Sequence, residues 1–490
     1  MGNRNAFVIG AGIAGIASAI RLRRKGYDVT VFEKNSSPGG KLSELRHDGF
    51  RFDTGPSLFT LPELVADLFS LCGKNPEDYL RYSALDNACK YFFPDGTTIV
   101  SYADRDRFAA ELLEKAGEPV ENTLSFLDRC RELYELTANV FIFSPFSKMS
   151  NLMTEESKKV AANFRKLDAF STMHQVIKKS FTDERVRQLF DRYATYNGSN
   201  PYKAPGTLNV IPHLEHNLGA WFPENGMYSI VESLVRLAEE QGVKFVYDTY
   251  VRIVMEDRGR IAGVTAGDNY YRSDIVVSDS DIVPLYRKLM RKRIPLWYSS
   301  RDRSSSALIF YWGMEGTFPK FDLHNIFFSS DYPHEFKCLS KGTISSDPTV
   351  YLFVSSKKVV TDAPAGCENW FVMINVPENR GQDWVSLIAE ARKNIIVRLN
   401  REAGIDLGSR IKFERVLDPL LIEQKTASHQ GSLYGSSSNS MFSAFRRHPN
   451  HRSKFSNLFF TGGSVHPGGG IPLCLASAKI VADMIPDAEK

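Results

Sequence analysis

The first segment of the chain alternates buried and amphipathic elements. Ala6–Gly10 is a short continuous apolar run, which is typical of a strand buried on both faces. Apolar residues then recur at helical spacing over Ala14–Lys25, and Gly26 follows at the position where a glycine commonly ends a helix. Asp28–Glu33 predicts a second strand. Strand, helix and strand in this order predict a βαβ unit, and therefore a parallel sheet covered by helices.

Helical periodicity dominates residues 105–190, and a further amphipathic helix is predicted over Met227–Gln241. The strands predicted after that helix are hairpin-like: Val243–Tyr247, Val251–Met255, Gly259–Ala266 and Asp274–Ser278. Aromatic and β-branched segments over 307–375 are typical of an antiparallel sheet. The chain closes with a buried strand at Asn457–Thr461 and a helix at Leu473–Ile485.

The charge balance is close to neutral, whereas the aromatic content is high. The chain has 61 Lys and Arg residues against 57 Asp and Glu, a net charge of +4. This excess is too small to favour a nucleic-acid partner. The 33 Phe and 20 Tyr residues provide more aromatic surface than a core usually needs. We therefore expect an apolar ligand, a membrane contact or both.

The six cysteines are scattered, and none of them form a CxxC motif. This spacing predicts reduced thiols rather than a zinc site or a redox pair, so no metal is expected. No apolar stretch approaches the roughly 20 residues that span a bilayer, and no signal peptide precedes the first strand. These features predict a cytoplasmic protein that does not cross a membrane.

Gly10, Gly12 and Gly15 form a GxGxxG motif between the first predicted strand and the first predicted helix. Such glycines permit a tight turn, close approach of the backbone to a pyrophosphate, and tight packing of the helix on the strand. The positive end of the helix dipole then faces the phosphates. Glu33 ends the second strand, where a carboxylate accepts hydrogen bonds from a ribose. The motif predicts a dinucleotide site, and a glycine turn that serves packing alone is the alternative.

Further motifs narrow the class of dinucleotide. Pro38–Lys41 and Phe52–Ser57 follow the second strand, and Gly462–Pro472 is a glycine-rich segment between a strand and a helix. With the GxGxxG motif, they resemble the superfamily of flavin-dependent amine oxidases and carotenoid desaturases. The glycine-rich segment and Asn200–Pro205 narrow the resemblance to the bacterial phytoene-desaturase-type carotenoid oxidoreductases. Within that family, the motifs between 196 and 223 are most similar to the 1-hydroxycarotenoid 3,4-desaturase branch.

The resemblance implies non-covalent FAD and removal of two hydrogens across a saturated carbon–carbon bond next to a polyene. The most specific expectation is a C3–C4 double bond introduced into a 1-hydroxycarotenoid by hydride transfer to the flavin, with a quinone or oxygen as electron acceptor. A phytoene or diapophytoene desaturase is the nearest alternative. A non-catalytic isoprenoid carrier of the GDP-dissociation-inhibitor type is the alternative from another class. The exact carotenoid and the oligomeric state stay open.

The same resemblance implies a set of FAD-binding residues, which lie in the glycine-rich loops and at the ends of predicted strands. They are Gly10, Gly12, Ile13, Ala14, Gly15, Glu33, Lys34, Gly40, Lys41, Leu42, Gly55, Pro56, Ser57, Val251, Ser278, Gly463, Gly470, Ile471 and Pro472. The helix that starts near Ile471 is expected to direct its positive end at the flavin ring, where it would stabilise the negative charge of the reduced form.

Glu215 is the candidate for an acid–base role, because a proton must leave the carbon next to the one that loses hydride. His213 and His216 are the next candidates for that role. The alternative is that Glu215 forms a structural ion pair and that the two histidines cap a helix or pack. Asp53 is expected to order its loop through side-chain bonds to the backbone. Asn225 stands where the family has a glycine, and because Asn tolerates left-handed backbone we expect the turn to be retained.

The order of elements predicts a fold of the α/β plus α+β class, in which a discontinuous Rossmann-type FAD domain carries two insertions. One insertion is a substrate domain with a mixed or antiparallel sheet, and the other is a helical, membrane-associated lobe. The predicted domains are the FAD-binding domain (1–75, 222–284 and 452–490), the substrate domain (76–104 and 285–451) and the helical lobe (105–221).

Two segments favour contact with a membrane surface. Leu136–Met153 is apolar and aromatic with few charges, which is typical of an interfacial segment. Tyr286–Tyr298 interleaves basic residues with apolar and aromatic ones, a mixture that suits an anionic leaflet. A buried helix is the alternative for the first segment, and a solvated basic helix end for the second.

Overall fold

The computed structural model describes residues 4–145, 154–257, 259–299, 301–440 and 447–488. Its strands are β1 (Asn5–Ile9), β2 (Asp28–Phe32), β3 (Glu44–His47), β4 (Phe50–Asp53), β5 (Tyr82–Ala84), β6 (Asn87–Phe92), β7 (Thr98–Tyr102), β8 (Trp221–Pro223), β9 (Lys244–Val246), β10 (Val251–Asp257), β11 (Arg260–Ala266), β12 (Asn269–Arg272), β13 (Ile275–Ser278), β14 (Ser306–Glu315), β15 (His324–Phe327), β16 (Val350–Phe353), β17 (Cys367–Val376), β18 (Ile411–Leu417) and β19 (Leu458–Phe460). Its helices are α1 (Ile13–Arg24), α2 (Glu63–Leu71), α3 (Arg105–Ala116), α4 (Val120–Phe141), α5 (Glu155–Ala162), α6 (Met173–Ser180), α7 (Glu184–Asp191), α8 (Ile211–His216), α9 (Ser229–Glu240), α10 (Ile282–Pro284), α11 (Leu296–Ser299), α12 (Tyr332–Lys341), α13 (Trp384–Ala403), α14 (Pro419–Thr426) and α15 (Ile471–Met484).

A parallel sheet gathers strands from both ends and the middle of the chain. Its order is β19-β13-β1-β2-β9, and every neighbouring pair is parallel. The helix α1 packs against α9 and α15. The predicted βαβ unit is therefore confirmed, and its first strand ends at Ile9, immediately before the glycine motif.

The prediction of hairpin-like strands after α9 is wrong for β9 and β13. Both join the parallel sheet, β9 beside β2 and β13 between β1 and β19. Each of these two strands pairs with strands that are distant in the sequence, and not with the next strand along the chain. Between β9 and β13, the strands β10, β11 and β12 form antiparallel hairpins.

The segment 307–375 contributes to a mixed sheet in the order β18-β14-β17-β16-β15-β6-β7. The pairs β14–β17, β16–β17 and β15–β16 are antiparallel, as predicted, whereas β15 and β6 run parallel. Because side chains alternate across a strand, the sheet has two distinct faces. Leu308, Phe310 and Trp312 point to the face that packs with α13 residues such as Ile395.

Helices fill most of residues 105–216, as the periodicity predicts. α4 packs against α3, α5 and α8. Phe126 and Phe190 of these helices share a buried cluster with Tyr91 of β6 and Phe328, which follows β15. The helices are thereby fixed against one edge of the mixed sheet. No helix within the described ranges combines the length and the apolar character needed to cross a bilayer.

Candidate active site

A cavity of about 1740 Å³ extends from the GxGxxG loop to the mixed sheet and the helices. One part of its wall is formed by the loops after β1, β2 and β4 and by the start of α15. Another part is the second face of the mixed sheet, including Ala307, Ile309, Tyr311 and Phe371. Helical residues such as Leu208 complete the wall. Pockets for one small ligand usually measure about 300–1,000 Å³, so this cavity has room for a dinucleotide and a second long molecule.

The glycine motif packs as its spacing predicts. A Cβ atom on Gly15 would lie 2.1 Å from the carbonyl oxygen of Gly10, so only glycine allows the helix to start this close to the strand. Gly12, Ile13 and Ala14 line the cavity at the N-terminus of α1. The first backbone N–H groups of the helix are therefore at the wall, where they favour an anion.

Glu33 lies buried at the end of β2 and lines the cavity. Its Oε2 accepts a 2.8 Å hydrogen bond from the backbone N–H of Ala11, and its Oε1 accepts one of 2.9 Å from that of Asn35. These bonds hold the carboxylate between the two loops. Lys34 and Val251 line the same part of the wall, which is the arrangement expected around a ribose.

Lys41 is a lysine in the loop that follows β2, and its amine is buried. Its Nζ donates hydrogen bonds to the carbonyl oxygens of Ser432 and Leu433. Burial lowers the pKa of this amine, and the nearby carboxyl of Asp281 opposes that shift. Gly40, Leu42, Gly55, Pro56 and Ser57 line the wall with Lys41. The Lys41 side chain thus contributes a buried hydrogen-bond donor to this part of the wall.

The C-terminal glycine-rich segment ends where α15 begins. Gly463, Gly470, Ile471 and Pro472 all line the cavity, as does Cys474 in the first turn of the helix. The positive end of the α15 dipole therefore opens onto the cavity, and its direction toward a flavin ring stays a prediction. Burial raises the pKa of the Cys474 thiol to about 12, so this thiol stays protonated at neutral pH.

Two of the predicted cofactor residues do not line the wall. Gly15 is covered by its contact with Gly10. Ser278 is fully buried as the last residue of β13, in register with Ile9 of β1 and Phe460 of β19. Both residues shape the edge of the sheet from behind the surface that a ligand would touch.

Asp279, which the motifs do not single out, lies beneath the glycine loop. Its Oδ2 accepts a 3.0 Å hydrogen bond from the backbone N–H of Gly15. Burial raises the pKa of Asp279 to about 8, with a further contribution from Glu33. Asp279 directly follows the strand predicted at Asp274–Ser278, but the prediction of a hairpin there hid that this strand ends at the same sheet edge as β1.

Glu215 lies on the cavity wall at the end of α8 and is 2% exposed. The hydroxyls of Tyr193 and Tyr196 donate hydrogen bonds of 2.6 and 2.7 Å to its two oxygens, and Arg192 Nη2 lies 3.8 Å from Oε1. Burial alone would raise the pKa of Glu215, but Arg192 and the tyrosines outweigh it and the pKa is lowered. The carboxylate is therefore ionised at neutral pH.

The histidines beside Glu215 are neutral. His216 Nε2 lies 2.8 Å from the Tyr193 hydroxyl, and the His213 ring packs against Tyr134. Burial lowers the pKa of each imidazole to about 4. Across the described residues, no group of three or more His, Cys, Asp and Glu side chains is arranged to hold a metal ion.

Comparison with known proteins agrees with this geometry. The family model for flavin containing amine oxidoreductases matches residues 13–486. The chain belongs to this family. It is 45% identical over 99% of both chains to a 1-hydroxycarotenoid 3,4-desaturase from Flavobacterium sp. (strain P99-3). It is 32% identical to a 4,4'-diapolycopene oxygenase from Methylomonas sp, over 99% of this chain and 98% of that one.

The fold of this flavin-containing amine oxidoreductase is also found in solved structures. An oxidoreductase from Methanosarcina mazei matches with a TM-score of 0.62 and 13% identity, over 98% of this chain and 100% of that one. The predicted resemblance to carotenoid oxidoreductases is confirmed by the two relatives named above. The protein is an FAD-dependent oxidoreductase.

The residues on the wall fit FAD. The close packing of Gly15 on Gly10 brings the N-terminus of α1 to the cavity wall, where it can face a pyrophosphate. Glu33 lies on the same wall, where its carboxylate can accept hydrogen bonds from a ribose. Lys41 contributes a buried amine to the same wall. The residues at the dinucleotide site predicted from the motifs are therefore compatible with FAD.

Asp53 and Asn225 meet at the turn before α9. Asp53 accepts 2.9 Å hydrogen bonds from the backbone N–H groups of Met227 and Tyr228, so its predicted side-chain bonds to the backbone are confirmed, and they hold this turn. The turn is retained with Asn225 in it, as predicted, since the backbone N–H of Gly226 donates a 3.0 Å hydrogen bond to the carbonyl oxygen of Pro223. Its left-handed residue is Gly226, with a φ of +81°, where a Cβ atom would lie 2.4 Å from Arg51 Nη1.

Proposed function

We propose that the protein is a carotenoid desaturase that introduces a C3–C4 double bond into a 1-hydroxycarotenoid. The observation that carries this proposal is the 45% identity to a protein named for that reaction, over 99% of both chains. The cavity supports it, because the sheet face contributes apolar side chains that a polyene can contact.

We propose that FAD occupies the part of the cavity nearest β1, where it would accept the hydride that leaves the substrate. The protein's own contribution is to bind and orient both molecules. The proposed FAD-binding residues are Gly10, Gly12, Ile13, Ala14, Gly15, Glu33, Lys34, Gly40, Lys41, Leu42, Gly55, Pro56, Ser57, Val251, Ser278, Gly463, Gly470, Ile471 and Pro472. A quinone or oxygen would then serve as the electron acceptor.

We propose that Glu215 receives the proton that leaves the carbon next to the site of hydride loss. Its carboxylate is ionised, buried and on the cavity wall. Its two oxygens are held by Tyr193 and Tyr196, which fixes the direction in which the carboxylate faces. A general base must be held within reach of the proton that it removes. The two tyrosine hydrogen bonds hold the Glu215 carboxylate in one orientation.

The proposed domain arrangement follows the predicted boundaries. The FAD domain (1–75, 222–284 and 452–490) contains the parallel sheet, and the substrate domain (76–104 and 285–451) contains most of the mixed sheet. The helical lobe (105–221) closes the cavity against that sheet.

We further propose that the protein is cytoplasmic and binds peripherally to a membrane, where carotenoids are dissolved. The rings of Phe164 and Phe170 lie 5.4 Å apart and are 44% and 76% exposed. Phe164 also lines the cavity, so this exposed pair stands at an opening. Within the segment predicted at 136–153, Phe141 and Ile142 line the cavity as well, and residues 146–153 lie outside the described residues.

The second predicted membrane segment, 286–298, is largely internal. Tyr286, Leu289 and Ile294 are buried, and only the last part of the segment exposes apolar groups. Leu296 is 87% exposed and Trp297 43% exposed. We propose that this short apolar end, beside the basic residues of the segment, contacts an anionic leaflet.

The test is product analysis with purified, FAD-containing protein and three substrates in parallel: a 1-hydroxylated acyclic carotenoid, lycopene and phytoene. We expect a longer conjugated chain, seen as a red-shifted absorption spectrum, from the hydroxylated substrate. Conversion of phytoene at the same rate would overturn the proposal in favour of a phytoene-type desaturase. Colourless protein that FAD cannot reconstitute would favour the non-catalytic carrier, an alternative that family membership does not favour.

A further inference from the structure

We propose that a buried polar cluster on the cavity wall binds the hydroxyl group of the substrate and places the neighbouring carbon–carbon bond for reaction. The cluster, called here the hydroxyl site, consists of Arg192, Tyr196, Glu215, His324 and Tyr351. This inference rests on the proposed function, because it requires a substrate whose hydroxyl lies near the reacting bond.

The hydroxyl site is polar in an otherwise apolar region. All five side chains line the cavity, and Arg192, Glu215 and His324 are each no more than 5% exposed. Their neighbours on the wall include Ile326, Leu208 and Leu214. A buried polar group without a hydrogen-bond partner destabilises the folded protein. We therefore infer that a ligand supplies the missing partners.

Two atoms of the site lack such a partner among the described residues. They are Nε2 of His324 and Nε of Arg192, both buried and without a hydrogen bond. The other nitrogen of His324, Nδ1, lies 2.8 Å from the Tyr351 hydroxyl. The guanidinium Nη atoms of Arg192 bond to the hydroxyls of Tyr91 and Tyr196. The unpaired atoms therefore belong to side chains that are otherwise fixed in place.

The unpaired pair matches the chemistry of an alcohol. Arg192 Nε can only donate a hydrogen bond, whereas a neutral imidazole nitrogen accepts or donates according to its tautomer. Burial lowers the pKa of His324 to about 4, with Glu215 and Arg192 acting on it in opposite directions, so the ring is neutral. A hydroxyl oxygen can accept from Arg192 while its proton is donated to His324. A carboxylate would provide only acceptors, and a hydrocarbon end would leave both atoms unpaired.

The hydroxyl site is connected to the cofactor loop. The Tyr351 hydroxyl lies 2.6 Å from Oγ of Ser57, a residue of the proposed FAD-binding set. Ordinary bond lengths place the oxygen on C1 of a carotenoid within about 5 Å of C3 and C4. A hydroxyl bound at His324 therefore fixes the reacting bond close to the loop that carries Ser57. Fixing a reactant in this way is a major source of rate enhancement.

Specificity follows from the same geometry. A site built to hydrogen-bond a substrate hydroxyl discriminates strongly against an analogue without it, because the buried partners are then left unpaired. We infer that the hydroxyl site is the reason this chain would prefer a 1-hydroxylated carotenoid over lycopene, which offers the same carbon skeleton without the alcohol.

The experiment compares wild type with His324→Leu, His324→Gln and Tyr351→Phe. The probes are a 1-hydroxylated acyclic carotenoid and lycopene, and the measured quantities are the ratio of their kcat/KM values and their equilibrium binding by tryptophan fluorescence quenching. We expect the ratio in His324→Leu to fall at least tenfold, with weaker binding of the hydroxylated probe. His324→Gln should recover part of the ratio, because its amide again offers a donor and an acceptor. His334→Leu, on α12 and outside the cavity, is the matched control and should keep the wild-type ratio.

The outcomes separate the inference from the proposed function. If wild type converts the hydroxylated probe but His324→Leu and Tyr351→Phe keep the wild-type ratio, the hydroxyl site is overturned and the proposed function stands. Equal conversion of both probes by wild type would likewise overturn the hydroxyl site and leave the proposed function standing. If wild type does not desaturate the hydroxylated probe, the proposed function fails and the inference fails with it. FAD content and thermal unfolding report folding of each variant, and His324→Gln and Tyr351→Phe decide the matter if His324→Leu does not fold.

Discussion

The backbone N–H of Gly15 donates a 3.0 Å hydrogen bond to the carboxyl of Asp279. This bond joins the first turn of α1 to the end of β13, so an acidic group lies directly under the loop that faces a pyrophosphate. A carboxylate there would repel the phosphates. The raised pKa of Asp279, about 8 through burial, resolves the conflict, because the group is neutral at physiological pH.

FAD affinity should therefore depend on pH through Asp279. Below pH 8 the Asp279 carboxyl is protonated and does not repel the phosphates of FAD. Above its pKa of about 8 the carboxyl is ionised, so FAD binding then requires uptake of a proton. We expect the dissociation constant for FAD to rise by up to about tenfold per pH unit on the alkaline side. Fluorescence titration of apoprotein with FAD measures this. Asp279→Asn keeps an acceptor for Gly15 and should flatten the curve, and identical curves for variant and wild type would contradict the prediction.

Glu215→Gln tests the proton-accepting role. Loss of a general base typically reduces turnover by about 10²–10⁴-fold, and we expect a decrease in kcat in that range with normal FAD content. Because the pKa of Glu215 is lowered, the wild-type base is ionised above that pKa, and activity should fall in acid as it is protonated. This acid limb should disappear in the variant.

Glu335→Gln is the control, a buried carboxyl that bonds to Thr349 and does not line the cavity. Near-normal turnover of FAD-loaded Glu215→Gln would leave Glu215 a structural role.

The cofactor half of the site could be predicted from sequence because its determinants are local. Gly10, Gly12 and Gly15 lie within one turn, and Glu33 follows at the end of the next strand, so spacing alone brings them together. The position of Asp279, in contrast, depends on the order of strands in the sheet. The residue pattern predicts a hairpin-like strand at Asp274–Ser278, whereas β13 lies parallel to β1.

The substrate half depends on contacts that spacing does not encode. His324 meets Tyr351 through the pairing of β15 with β16, and Tyr351 reaches Ser57 across 294 positions of sequence. Glu215 is a sequence candidate because the reaction needs a proton acceptor, but Arg192, which lies 3.8 Å from it, is on a different helical turn and carries no motif. Register and helix placement follow from packing of the whole core, so these partners became visible only in three dimensions.

Arg51 should be important for stability. Its guanidinium is 8% exposed and contacts the buried carboxylates of Asp53 at 2.8 Å and Asp362 at 3.2 Å. Arg51→Met would leave both carboxylates without their cation, and breaking a buried pair typically costs about 3–5 kcal/mol. Urea unfolding should show a loss of that size. The exposed Arg236–Glu240 pair is the comparison, and Arg236→Ala should cost less than about 1 kcal/mol. Equal losses for both variants would contradict a buried network around Arg51.

Membrane binding should depend on the exposed apolar groups near the cavity opening and at α11. Replacing Phe170, Leu296 and Trp297 together with Ser removes side chains that are 76%, 87% and 43% exposed. We expect co-sedimentation with anionic phosphatidylglycerol vesicles to fall at least tenfold, because membrane affinity scales with buried apolar area and with attraction to anionic lipid.

Val360 and Val385, 81% and 82% exposed, are the matched control. Their replacement with Ser should leave binding within twofold of wild type. Turnover with carotenoid delivered in detergent should be retained in the triple variant, since its side chains act on access to lipid and not on the reaction. Unchanged vesicle binding in the triple variant would place the membrane surface elsewhere on the protein.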